Sequence, residues 1–183
     1  MKYFHRIASG LDVQPLMHQV ARQPHLWNAN PLRKDFAEDS PHKEVDDIHL
    51  RFTEIKGKSV KEIGDDLEAA MCPAWNAVPA ARPIILNLMR AVEAFRLGRV
   101  MITKLKPGKG IKPHADVLGT YAHYYNRYHV VLQGMPGSLF RCGDEQVQMM
   151  TGEVWWFNAH EMHECVNNSA DDRVHLLVDV RLE

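Results

Sequence analysis

Residues 127–180 read RYHVVLQGMPGSLFRCGDEQVQMMTGEVWWFNAHEMHECVNNSADDRVHLLVDV. Apolar and polar residues alternate in short runs, and turn residues interrupt them at Gly134, Pro136-Gly137, Gly143-Asp144, Thr151-Gly152 and Asn167-Asn168-Ser169. Period-two alternation sends successive side chains to opposite faces of an extended backbone, and closely set turns keep each run short. The expected strands are 127–132, 137–142, 146–150, 153–157, 164–167 and 173–180. Residues 99–105, ahead of Pro107-Gly108 and Gly110, add one more. So many short strands with such punctuation imply a sandwich or barrel.

Working back toward the N-terminus, the pattern changes. Residues 11–21 carry Leu11, Leu16, Met17 and Val20 at helical spacing, with Ser9 as a cap. A polar stretch holding Pro24, Pro31 and Pro41 follows, then a short alternating segment at 48–52. Residues 59–71 read as a short helix or a helical turn around Gly64. The better helix is 83–97, with Ile84, Leu88, Ala91 or Val92, and Phe95 on one face. Pro83 suits its first turn, and Gly98 suits a left-handed position just past its end. The expectation is one domain over residues 1–183, mainly β with N-terminal helices. A mixed helical layer (1–98) would pack on a β core (99–183).

The composition narrows the partners. Of 183 residues, 45% are hydrophobic and 25% charged, and the formal net charge is -1. This balance provides no basic footprint for nucleic acid or an acidic membrane. No run approaches the roughly 18 apolar residues that cross a bilayer, and the N-terminus lacks the apolar segment of a secretory signal. Cys72, Cys142 and Cys165 have no CxxC spacing. Free thiols in the cytoplasm are the simplest expectation.

The chain has 11 histidines, six of them between His114 and His175 within strand-like sequence. The earlier ones, His42 and His49 included, read as polar scatter. His114-Ala-Asp116 follows the loop KPGKGIKP, and His163 comes from a later strand. Two neutral imidazoles and a carboxylate on one face would leave about three open positions on an octahedral Fe(II), enough for a bidentate cosubstrate and O2. His160 is a rival to His163, but it lies in turn-like sequence. Arg173 opens an otherwise apolar strand, where its charge needs a partner. Its fork of donors matches a carboxylate such as the distal one of 2-oxoglutarate; an internal pair with Asp171, Asp172 or Asp179 is the alternative. Arg127 with His129, and Arg173 with His175, share strand faces at i and i+2. They would either line a cation-rich cavity inside a barrel or stand on solvated outer faces. The Thr103 hydroxyl, on a neighbouring strand, can donate to the same anion.

Taken together, several phrases resemble the aspartyl/asparaginyl β-hydroxylase family of 2-oxoglutarate oxygenases. They are ITKLKPGKGIKPH (102–114), Arg127-Tyr-His129, GEVWWF (152–157), HECVNN (163–168) and RVHLLVD (173–179), in the family's order and spacing over roughly eighty residues. The resemblance implies a double-stranded β-helix (jelly roll, cupin-like) with Fe(II), 2-oxoglutarate and O2 as cofactors. It also implies metal ligation by His114 and His163, completed by Asp116 as in bacterial members. Arg173 and Thr103 would clamp the distal carboxylate, while Arg127 and His129 would contact the cosubstrate's other end. Implied substrates are a free amino acid or an Asp, Asn or Pro-type residue in a peptide or protein. The competing reading is a cupin-like metal-binding or 2-oxoglutarate-sensing module without oxygenase activity.

Overall fold

The computed structural model describes residues 1–30, 40–117 and 119–182. Part of the expected polar stretch, with Pro31, lies outside the described residues. The strands are β1 Phe4–Ala8, β2 Val45–Phe52, β3 Ala70–Met71, β4 Arg96–Leu105, β5 Gly110–His114, β6 Asn126–Gln133, β7 Ser138–Cys142, β8 Glu145–Val147, β9 Val154–Phe157, β10 His163–Asn167 and β11 Arg173–Arg181. The helices are α1 Gln14–Ala21, α2 Val60–Asp65, α3 Ala74–Ala77, α4 Ala81–Ala91 and α5 Gly119–Tyr124. The strands form two antiparallel sheets, a seven-stranded one in the order β1-β9-β6-β11-β4-β2-β3 and a four-stranded one in the order β5-β10-β7-β8. This is the double-stranded β-helix architecture implied by the resemblance. Among the described residues, no helix is long and apolar enough to cross a membrane.

Strand alternation separates two interiors. Val174, Leu176, Val178 and Val180 of β11, Val100 and Ile102 of β4, and Val130 and Leu132 of β6 face the helical layer. There they meet Leu16, Val20, Ile85 and Leu88. Each fully buried aliphatic side chain contributes ~1.5–3 kcal/mol, so this layer stabilises the large sheet from behind. The intervening residues, Arg173, His175, Leu177 and Asp179 on β11 and Arg127 and His129 on β6, turn into the space between the sheets. Phe4, Leu105, Phe140, Trp155 and Phe157 close that space with a second apolar cluster. The Arg-X-His pairs therefore lie inside the barrel, and the solvated-face alternative falls away.

Some elements depart from expectation. The helix expected at 83–97 is shorter, because pairing of β4 with β11 continues back to Arg96, opposite Arg181, and claims those residues for the sheet. Glu93, with φ 55°, reverses the chain after α4. Gly98 instead lies within β4, where an added Cβ would collide with Tyr121 and Tyr125. The region read as N-terminal and helical also supplies β1, β2 and β3 to the large sheet. Ser9 does not cap α1, whose N-cap is Val13 without a side-chain bond. Ser59 does cap α2, in a reciprocal box with Glu62. The loop expected before His114 contains β5, an edge strand in which Pro113 omits no bond that an inner ladder would need.

Candidate metal centre and adjoining cavities

β5 and β10 pair so that His163 lies across from His114. Their ring centroids are 4.2 Å apart. Nδ1 of His114 is 2.8 Å from the Lys112 carbonyl oxygen, and Nδ1 of His163 is 2.9 Å from that of Glu161. A carbonyl only accepts, so each Nδ1 carries the proton and each Nε2 keeps its lone pair, the form that ligates a metal. Asp116 follows β5, anchored by its amide donating to the Ala159 carbonyl at 2.8 Å. Its Oδ1 is 3.6 Å from His114 Nε2. Its Oδ2 accepts from Arg127 Nη1 at 2.7 Å. Burial depresses the His163 pKa to about 4 despite the opposing influence of Asp116, so the ring is neutral near pH 7. Two lone pairs and a carboxylate suit a divalent cation with open positions.

His42 also belongs to this neighbourhood, although the sequence reading left it among scattered polar residues. Its possible ligand atom and those of His114 and Asp116 all lie within 4.8 Å of one another. His163 reaches the cluster through its ring contact with His114 and falls outside that set. Nothing in the Pro41-His42 context signals the placement of His42. His160 does not approach His114; its Nε2 is 2.8 Å from the Ala122 carbonyl oxygen.

Beneath the histidines is a cavity of about 40 Å³ whose lining includes Thr103, His129, Phe140, His163 and Arg173. Arg173 is 4% exposed. Its Nη2 is buried without a hydrogen-bond partner. Burial lowers its pKa, a sign of how poorly the fold solvates the charge. Among the described residues no carboxylate lies within ion-pair distance of Arg173. Asp179 pairs with Arg127, and Asp172 approaches Lys104 at 4.0 Å. The internal pair considered from sequence is therefore absent. Thr103 is buried, its Oγ1 3.5 Å from the His175 carbonyl oxygen. His129 Nδ1 is 3.1 Å from His175 Nδ1.

Arg127 lines the same cavity, and three of its five N–H donors meet carboxylates. Nε and Nη2 donate to Asp179 at 2.8 and 3.1 Å, in addition to the Nη1 bond to Asp116. Burial disfavours the charge, yet the two carboxylates more than offset that and raise the pKa. In this arrangement Arg127 orients Asp116 while remaining in the wall of the small cavity. Arg127 and Phe157 also border a second cavity of about 350 Å³, walled further by Asp116, Tyr121, Trp156 and His160. Two polar residues of β2 serve the sheet: His49 stacks on Phe52 at 4.1 Å, and Arg51 donates to the carbonyls of Leu97 and Gly98.

The fold has relatives of known structure. A 2OG-Fe(II) oxygenase family oxidoreductase from Burkholderia pseudomallei superposes with a TM-score of 0.57 at 16% identity, over 91% of this chain and 79% of that one. A Pseudomonas putida prolyl-4-hydroxylase superposes with a TM-score of 0.56 at 13% identity, over 98% of this chain and 92% of that one. At such identity these likenesses concern the fold. No match was found among curated protein sequences. The family model described as aspartyl/asparaginyl beta-hydroxylase matches residues 61–182, which span β3 to β11 and hold every proposed ligand. The chain belongs to the aspartyl/asparaginyl β-hydroxylase family, enzymes of the 2-oxoglutarate-dependent dioxygenase class whose cofactors are Fe(II), 2-oxoglutarate and O2.

Proposed function

We propose that this chain hydroxylates an unactivated C–H bond of an amino acid, free or as an Asp, Asn or Pro-type residue of a peptide, with His114, Asp116 and His163 holding Fe(II). Bound iron, with 2-oxoglutarate and O2, supplies the oxidising power for C–H hydroxylation, with succinate and CO2 as co-products. The chain's own residues bind and orient. Arg173, with Thr103 beside it, receives the distal carboxylate of 2-oxoglutarate. Arg127 fixes the rotamer of Asp116, and the carbonyls of Lys112 and Glu161 fix the ring tautomers of His114 and His163. Phe140 and Phe157 keep the small cavity dry.

One observation carries the reading: a buried guanidinium without a counter-charge among the described residues lies beside two imidazoles that present their Nε2 lone pairs. A fold bears such a charge only where a ligand neutralises it. The larger cavity adjoins the smaller one at His42, Arg127 and Phe157, which line both. Its volume falls at the small end of the ~300–1,000 Å³ range of ligand pockets, which favours a single residue-sized guest.

The test is anaerobic titration with Fe(II) and 2-oxoglutarate, followed by a succinate-release screen over amino acids and short peptides. His114→Ala and His163→Ala should abolish metal retention and succinate formation, whereas His160→Ala and His42→Ala should retain the metal. Metal lost from His42→Ala but kept in His163→Ala would replace His163 by His42 in the ligand set. Binding of metal and 2-oxoglutarate without succinate from any amino acid or peptide would favour the sensing alternative.

A further inference from the structure

His129 and His175 meet deep in the barrel, and their geometry reaches beyond a general affinity of this cavity for anions. β6 and β11 pair with Leu177 across from His129 and Val131 across from His175, so the two imidazoles are diagonal neighbours on the inward face. The rings are nearly perpendicular, at 88°, with Nδ1 3.1 Å from Nδ1. Two nitrogens at that distance share one proton, one ring donating and the other accepting. His129 is 5% exposed and borders the small cavity. His175 is 0% exposed and stands behind it. Burial and the neighbouring Arg173 charge push both pKa values well below the usual histidine value, so both rings are neutral.

Two neutral arrangements exist. If His129 donates, the remaining proton of His175 sits on Nε2, which is buried without a hydrogen-bond partner. The fold would then strand an N–H donor, and His129 would present a bare lone pair to the cavity. If His175 donates, its Nε2 carries only a lone pair, and the Arg173 cation on the same strand face favours a lone pair over an N–H. Buried orphan N–H groups are rarer than under-satisfied acceptors. The second arrangement is therefore the stable one, and it leaves His129 with a proton on Nε2, its remaining polar atom. An Nε2–H attracts a carboxylate oxygen, whereas a lone pair repels it.

The geometry points to His175 as a positioning residue that fixes His129 in the Nε2–H tautomer, making His129 a hydrogen-bond donor to a carboxylate of the dianionic cosubstrate. This rests on the reading of the small cavity as the 2-oxoglutarate site. The tautomer itself follows from the protein alone.

Long-range ¹H–¹⁵N correlation spectra of the metal-free, ¹⁵N-histidine-labelled protein at neutral pH read both rings directly. His129 should show a protonated Nε2 and a bare Nδ1, and His175 the reverse. The opposite assignment overturns the proposal, with no variant required. Calorimetric titration of the Mn(II)-loaded protein with 2-oxoglutarate tests the consequence. His175→Leu removes the donor and should weaken binding about tenfold. His175→Asn, whose amide can donate to His129 Nδ1, should bind within about threefold of wild type. In turnover the His175→Leu loss should appear in KM for 2-oxoglutarate with kcat nearly unchanged. Equal losses in the Leu and Asn variants, with wild type binding normally, overturn the positioning role alone. Wild-type protein that does not bind 2-oxoglutarate overturns the cosubstrate reading and, with it, the donor role.

Discussion

Arg173 carries a charge into a place where, among the described residues, no carboxylate answers it. Residues chosen only for stability would put a hydrocarbon there, because Val45, Phe140 and Leu177 share the cavity wall with it. The ligand-free protein therefore bears a cost that 2-oxoglutarate relieves. Replacing Arg173 by Met should separate the two effects. Affinity for 2-oxoglutarate should fall by ~3–5 kcal/mol, a loss of roughly two to four orders of magnitude, because the diacid's own carboxylate is then left buried and unpaired. Meanwhile the ligand-free variant should melt ~2–4 °C higher for each ~1 kcal/mol of charge burial relieved. Calorimetry with and without 2-oxoglutarate measures both. A variant less stable than wild type and unchanged in affinity would make Arg173 a structural cation. This residue was legible in the sequence because an arginine amid β-branched and leucine residues is costly on any fold. His42 was not, since it lies in a turn just before β2, where no periodic pattern marks it.

At the level of elements, the cavity of about 350 Å³ owes part of its wall to the close approach of α2 and α5. Gly119 begins α5 with φ 78°, and an added Cβ there would collide with the backbone of Gly64 in α2. The amide and hydroxyl of Thr120, one residue on, donate to Asp65 at 2.9 Å. Gly119→Ala should therefore pry α5 from α2, costing ~1–3 kcal/mol in stability and displacing Tyr121 from the wall. KM for the hydroxylated substrate should rise severalfold, while 2-oxoglutarate affinity, set on β4, β6 and β11, stays within about twofold. Parallel loss of both affinities would mean that the two cavities do not act separately. The strands carrying the small cavity were readable from alternation and Arg-X-His spacing. The α2–α5 contact was not, because it joins segments more than fifty residues apart through glycines that carry no periodic signal. Gly98 misled for a related reason: it resembles a helix stop, yet it is small so that Tyr121 and Tyr125 can pack over a strand.

Across the whole molecule, function has placed three neutral histidines, His129, His163 and His175, in an interior that an all-apolar core would have filled. The fold class was legible because turn residues divide the C-terminal half into short strands. β1 was not, because its pairing with β9 spans most of the chain and leaves no local mark. The interior histidines give the molecule a definite response to acid. Burial lowers all three pKa values, that of His163 to about 4. In the unfolded chain each would take up a proton near its ordinary value of ~6.5. Below that pH the unfolded state binds more protons than the folded state, so the stability these groups provide is complete above ~6.5 and declines as pH falls. The limiting slope is ~1.4 kcal/mol per pH unit for each histidine, or ~4 for the three. The share from His163 levels off near its folded value. Most carboxylates stay ionised between pH 7 and 5.5 and contribute little in that window. Urea midpoints of the metal-free protein should therefore fall steeply from pH 7 to 5.5, and His163→Asn should reduce the slope by about one third. A midpoint constant over that range would mean the folded barrel admits protons freely, and an interior that admits protons would also admit the water that a dry cosubstrate pocket must exclude.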